Sequence, residues 1–204
     1  MNKIGVISAM SFELSPLKNI VETTYVNSGY MFRISGIGRS CAVLNTIDLI
    51  TRCKCNAIFN FGSCGSYGDK YKIGDVLVPN LVLDGDINYP PENTWRDPAA
   101  IYDCNQSELH DTETDDNTIC LYTRSSFSDK KEYSASNYLE DMEAYEILNV
   151  CNYFHVPCYI CKVVVNKICE NSIQQFNDNL IEICNKNINK VFNELEYFTR
   201  KISK

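Results

Sequence analysis

Residues 57–78 read AIFNFGSCGSYGDKYKIGDVLV. Ala57-Ile58-Phe59 is an apolar run of the kind that forms a buried strand. Gly62, Ser63, Cys64 and Gly65 follow it and predict a tight turn at the strand's carboxyl end. Gly74-Asp75 then opens a second apolar run, Val76-Leu77-Val78. In open α/β sheets small-molecule sites form at the carboxyl ends of strands, where glycine lets the backbone approach a ligand closely. The stretch therefore nominates a site before any catalytic residue is named.

Working outward toward the N-terminus, Lys3–Ser8 (KIGVIS) reads as a buried first strand. An amphipathic helix is expected from Ser11 to about Val21, with Ser11 as its cap and Leu14, Leu17 and Val21 as its stripe. Two short strand-like runs around Asn27-Ser28-Gly29 suggest a hairpin between Tyr25 and Ser35. Ser35-Gly36-Ile37-Gly38 leads into a helix from about Ser40 to Cys53, where Val43, Leu44, Ile47 and Ile50 keep helical spacing.

Toward the C-terminus, patterning stops between Asp84 and Asp116. That acidic stretch, rich in Pro, Asn and Asp, reads as a functional loop, a lid or a disordered segment. Thr118–Thr123 predicts a strand, Lys130–Asn137 a loop, and Leu139–Phe154 a helix with Met142, Tyr145, Ile147 and Val150 among its buried residues. Pro157–Val165 is a dense apolar strand of the type covered on both faces. Ser172–Ile202 closes the chain as one long helix or two. Strands alternate with helices through short connections, which predicts one three-layer α/β domain over residues 1–204.

The net charge is −7. That argues against a nucleic-acid or anionic-membrane partner. The N-terminus lacks the apolar stretch of a signal peptide, and no run of 18 apolar residues occurs, so a cytoplasmic protein outside the membrane is expected. The eleven cysteines are odd in number, so they cannot all pair within the chain; free thiols are expected. Cys158-x-x-Cys161 falls on the predicted strand, where an i, i+3 pair points to opposite faces. Packing is thus favoured over metal or redox chemistry for this pair, and no metal or cofactor is expected.

Four segments resemble the purine nucleoside phosphorylase and nucleosidase superfamily, above all its 5′-methylthioadenosine/S-adenosylhomocysteine nucleosidases. They are IGVISAMSFEL (4–14), SGIGRSCAVLNT (35–46), NFGSCGSYGDKYKIGDVLVP (60–79) and DMEAYEILNVCNYFHVPCYICKVVVNK (141–167). Each motif is weak alone; four in order, each at a strand–turn–helix junction, are fairly specific. The resemblance implies an αβα fold with a central mixed sheet, a purine nucleoside as ligand, no cofactor and a homodimer.

It also implies roles. Glu13 falls where the family places the base that activates water, near a helix start whose dipole would keep it ionised. Read without the resemblance, Glu13 is a first-turn residue that complements the dipole. Glu143 matches the glutamate that accepts from the ribose hydroxyls, and Met142 the residue that packs on the sugar, core filling being its alternative. Phe127 and Ser128, in YTRSSFSD, match the purine-binding stretch: Phe127 to stack on the base, the Ser128 backbone to read its edge. An ordinary core phenylalanine competes with that reading. Ser63 would hold the nucleophile or an anion, or simply stabilise a turn. Asp141 and Glu140 read as solvated or capping residues.

The chain departs from the pattern at Asn166, in VVVNK, where the nucleosidases carry an aspartate that protonates the leaving purine after the last core strand. An amide donates a hydrogen bond but transfers no proton. The aspartate of the family's Gly-Asp-x-Phe stretch is also missing, replaced by Arg124-Ser125-Ser126. Phosphorylases with a Gly-Ser-Cys-Gly segment carry a phosphate-gripping arginine two residues before its first glycine; here that residue is Asn60, which favours water as nucleophile. Three functions stay open: hydrolysis, phosphorolysis of 6-oxopurine nucleosides, and nucleoside binding with weakened catalysis.

Overall fold

The computed structural model describes residues 2–25, 29–86, 118–133 and 135–203. Most of the 84–116 segment, and Asn27-Ser28 of the expected hairpin, lie outside these. The elements run β1 (Ile4–Ser8), α1 (Ser11–Thr24), β2 (Tyr30–Ile34), α2 (Arg39–Thr51), β3 (Ala57–Tyr67), β4 (Val76–Leu77), β5 (Leu81–Asp84), β6 (Cys120–Thr123), β7 (Tyr138–Asp141), α3 (Ala144–Tyr153), β8 (Cys158–Lys167) and α4 (Ser172–Ile202).

The eight strands form one mixed sheet in the order β2-β1-β3-β7-β6-β5, with β8 on the other edge of β3 and β4 beyond it. Alternation along the central strands sorts the core into two layers. Phe59, Phe61, Val163 and Val165 pack with Leu17 and Val21 of α1 and with Val191 and Leu195 of α4. Ile7 and Ile58 pack with Ala42 and Leu49 of α2 and with Ile147 and Cys151 of α3. Helices thus cover both faces, giving the three-layer αβα arrangement. Cys161 joins the first layer and Cys158 the second, on opposite faces of β8. Among the described residues, no helix is long and apolar enough to cross a membrane.

Three expectations need correction. The Gly62–Gly65 segment is not a turn: β3 runs straight through it, because β8 pairs with β3 from Ile58 to Ser66 with only a bulge between Cys64 and Gly65. The turns come later, at Gly68 and Gly74, with φ of 81° and 94°. Leu139–Phe154 is not one helix: its start belongs to β7, which is buried on both faces between β3 and β6, and α3 begins only after Met142-Glu143. Among the described residues the expected Tyr25–Ser35 hairpin is replaced: α1 extends to Thr24, and Tyr30–Ile34 pairs parallel with β1.

The topology leaves one gap that matters. β1 pairs with β3 as far as Asn60, and β7 joins the same edge only at Gly65. Between them the edge of β3 has no strand partner. Side chains fill the vacated bonds: the Ser8 hydroxyl donates to the Phe61 carbonyl, and the Glu13 carboxylate accepts from the Ser63 N–H.

Candidate active site

An open cleft of about 630 Å³, the solvent at its mouth included, lies over this gap. Glu13, Ser63, Phe127, Ser128, Met142, Glu143 and Asn166 all line it. Sequence segments more than 150 residues apart meet there because β1, β3, β7 and β8 end or diverge around one point.

At one end Glu13 stands on the third residue of α1, 1% exposed. Its Oε1 accepts from the Ser63 N–H at 2.8 Å and the Ser63 hydroxyl at 2.7 Å, and its Oε2 from the Met10 N–H at 3.1 Å. Burial raises its pKa, and this outweighs the hydrogen bonds from Ser63 and the charge of Lys162, which pull it down. The helix start and these hydrogen bonds favour the ionised form, and desolvation at this depth opposes it. Gly62 leaves the carboxylate room, since a Cβ there would sit 3.7 Å from Glu13 Oε1 and 3.3 Å from Lys162 Nζ.

Glu143 immediately precedes α3, and its side chain reaches across to the start of α2, where Oε1 accepts from the Gly38 N–H at 2.8 Å. Gly38 has a φ of 98°, which only glycine adopts without strain. Burial and the neighbouring Asp141 charge push the Glu143 carboxyl up to about 7, against Lys162 and the Gly38 N–H. Met142 lines the cleft beside it.

Behind these carboxyls lies Lys162, 1% exposed, paired with Asp141 at 2.7 Å. Burial works against its charge, yet Asp141, Glu143 and Glu13 together outweigh it and raise the ammonium pKa. Asp141 also accepts from the Thr123 hydroxyl at 2.6 Å and the Ala144 N–H at 2.9 Å, so its predicted capping role is real but partial. The sequence reading gave Lys162 no role. A single cation inside the apolar strand CYICKVVV was the available signal, because a buried lysine demands carboxylate partners.

At the other end Phe127 is 43% exposed at the mouth, its ring edge-on to Phe176 of α4 at 5.0 Å. It is no core residue. The buried Ser128 accepts from Arg124 Nη1 at 2.6 Å and lies in hydrogen-bonding reach of Glu140. Glu140 is not solvated, as the sequence suggested, but 7% exposed within β7. Burial raises its carboxyl to about 7, with Ser128 and Arg124 opposing. Asn166 lies inside β8, which outlasts its predicted end by two residues. Its Nδ2 donates to the Lys167 carbonyl at 3.2 Å, while Oδ1 has no partner. Asn60 is buried, donates to the Ile7 carbonyl at 3.2 Å, and does not line the cleft.

Comparison with known proteins gives a consistent picture. A family model described as the phosphorylase superfamily matches residues 3–199. The 5′-methylthioadenosine/S-adenosylhomocysteine nucleosidase of Buchnera aphidicola subsp. Acyrthosiphon pisum (strain APS) is 27% identical over 210 residues, spanning 87% of this chain and 90% of that protein. The native futalosine hydrolase of Helicobacter pylori strain 26695 shares the fold with a TM-score of 0.71 at 18% identity, over 95% of this chain and 96% of that one. An aspartate-to-asparagine mutant of the Helicobacter pylori nucleosidase, solved with 5′-methylthioadenosine in its active site, gives a TM-score of 0.69 at 18% identity, over 95% and 99% of the two chains.

Proposed function

The chain belongs to the phosphorylase superfamily, and we propose that within it this protein is a nucleosidase, hydrolysing the N-glycosidic bond of a purine nucleoside of the 5′-methylthioadenosine/S-adenosylhomocysteine type with Glu13 activating the water. The observation that carries the reading is the lack of a cation among the described residues of the cleft wall. Glu13, Glu140, Asp141 and Glu143 line it, and among its described lining residues none is Arg or Lys. A phosphate nucleophile is a dianion that needs cationic partners. A breaking ribosyl bond, by contrast, develops positive charge on the sugar, which carboxylates stabilise.

The remaining steps follow the geometry. A water against Glu13 gives its proton to a carboxylate whose raised pKa suits a general base. Glu143 accepts from the ribose hydroxyls, and Met142 packs on the sugar. Phe127 offers its exposed face to the base. Asn166 favours a second reading of the base itself: its unpartnered Oδ1 is an acceptor where an acid is expected, which suits a 6-oxopurine.

The test is direct. The protein is incubated with methylthioadenosine, adenosine and inosine, with and without phosphate, and free base is measured. Release from methylthioadenosine without phosphate is expected. Strict phosphate dependence overturns hydrolysis, and release from inosine alone selects the 6-oxopurine reading.

A further inference from the structure

The nucleosidase reading leaves one step without an agent, the protonation of the leaving purine, because Asn166 has no proton to transfer. Four carboxyls line the cleft. Glu13 is held by three hydrogen bonds from Ser63 and Met10. Asp141 is engaged by Lys162, Thr123 and Ala144. Glu143 is tied to the Gly38 N–H beside the sugar residues. In Glu140, Oε1 is buried and has no partner, and among the described residues it is the one such carboxylate oxygen in the cleft wall.

Register puts that oxygen at the base end. Gly65 of β3 pairs with Glu140 of β7 on one side and with Asn166 of β8 on the other. Two strand spacings separate the flanking residues, about 10 Å between their Cα atoms. The middle position has no side chain, and a Cβ there would meet Asn166 Nδ2 at 3.0 Å. Glu140 and Asn166, each with an unpartnered buried oxygen, therefore flank Gly65 at the end of the cleft that Phe127 and Ser128 line.

We infer that Glu140 is the general acid of this site, passing its carboxyl proton to a ring nitrogen of the departing purine. The step balances. The C1′–N9 bond breaks and its electron pair leaves with the base. Water supplies hydroxide to C1′ and a proton to Glu13; Glu140 supplies the proton that neutralises the purine. Glu13 then releases a proton to solvent and Glu140 takes one up, so nucleoside and water become sugar and free base. The surroundings suit a carboxyl that holds its proton near neutrality. Burial and the charges of Glu132 and Asp141 favour the neutral form, Arg124 and Ser128 oppose it, and Tyr133 and Tyr138 lie close by. An acid of this kind works best when its pKa lies near the operating pH.

The inference rests on the nucleosidase reading, and the experiment separates the two. Glu140→Gln and the unmutated protein are assayed on methylthioadenosine and on p-nitrophenyl riboside, whose nitrophenolate departs without protonation. Glu140→Gln is expected to slow methylthioadenosine cleavage by ~10²–10⁴-fold and to retain turnover of the nitrophenyl riboside. A second measurement needs no variant: in the unmutated protein, activity on methylthioadenosine is expected to fall above about pH 7, and activity on the nitrophenyl riboside to lack that limb. Equal losses on both substrates, no loss on either, or the same alkaline limb on both overturns the assignment of Glu140 while leaving the nucleosidase standing. No base release from any nucleoside by the unmutated protein overturns both.

Discussion

Ser63 gives both its backbone N–H and its hydroxyl to one oxygen of Glu13, at 2.8 and 2.7 Å. The bond exists because β1 and β7 leave this part of β3 without a neighbour, so the helix-borne carboxylate takes the place of a strand. It also tunes the carboxyl: burial raises the Glu13 pKa, and Ser63 holds it down. Ser63→Ala keeps the N–H and removes the hydroxyl, so the Glu13 pKa should rise further. A base must be ionised to act. The acid limb of the kcat/KM profile for base release is therefore expected to move to higher pH. An unmoved limb in a folded variant counts against Glu13 as the base. Glu13→Gln should lower base release by ~10²–10⁴-fold.

Lys162 neutralises a buried acidic cluster from a fully covered strand. Its Nζ is 2.7 Å from Asp141, and both side chains are sealed from solvent. Removing one partner of such a pair leaves an uncompensated charge and typically costs about 3–5 kcal/mol. Lys162→Met should therefore destabilise by that amount in urea unfolding at pH 7. A loss below about 1 kcal/mol, the scale of a surface pair, sinks the buried-pair account.

How much of this was legible before the fold was known depends on what each residue answers to. The Lys3–Ser8 and Pro157–Val165 strands and the bounds of the Ser172–Ile202 helix answer to burial and pattern, and they fall within two residues of the observed elements. Glu13, Ser63, Glu143 and Asn166 were found through motif resemblance, and the topology brings them to one cleft. Gly62 and Gly65 were misread as turn residues because glycine has two uses, and local sequence does not separate them. Here they make room for Lys162, Glu13 and Asn166 across neighbouring strands. Glu140 was misread as solvated, and the burial of Asp141 was missed, because β7 is four residues long and runs into α3, so a helical pattern absorbed it. Their burial is a property of the strands on either side, and short polar segments carry no trace of that.

Glu143 makes stability depend on pH in a direction that can be stated. An unperturbed glutamate titrates near 4.5, whereas folded Glu143 keeps its proton up to about 7. Between those values the folded state binds more protons than the unfolded one. The stability that goes with the protonated carboxyl is complete below pH 4.5 and is lost as pH rises through 7. Glu143→Gln mimics the protonated form and can still accept from the Gly38 N–H. Its Tm relative to the unmutated protein is expected to be several degrees higher at pH 8 than at pH 5; each kcal/mol moves Tm by about 2–4 °C in a chain of this size. A difference independent of pH overturns the raised pKa.

Asn166→Asp tests the base end of the cleft from the opposite side of Gly65. The amide Nδ2 donates to the Lys167 carbonyl at 3.2 Å, so an aspartate oxygen in its place meets a carbonyl oxygen and is accommodated only when protonated. Asn166 is 2% exposed, which disfavours the ionised form further. The substitution thus installs a neutral carboxyl, an acid, across the glycine from Glu140. Alone it should raise the cleavage of adenine nucleosides. In the Glu140→Gln background it should recover much of the lost methylthioadenosine activity, because either carboxyl can then serve the leaving base. Nitrophenyl riboside turnover, which needs no acid, should stay the same in both backgrounds. A double variant no faster than Glu140→Gln alone means that Asn166 does not face the departing purine, and the bracket around Gly65 is then not the base site.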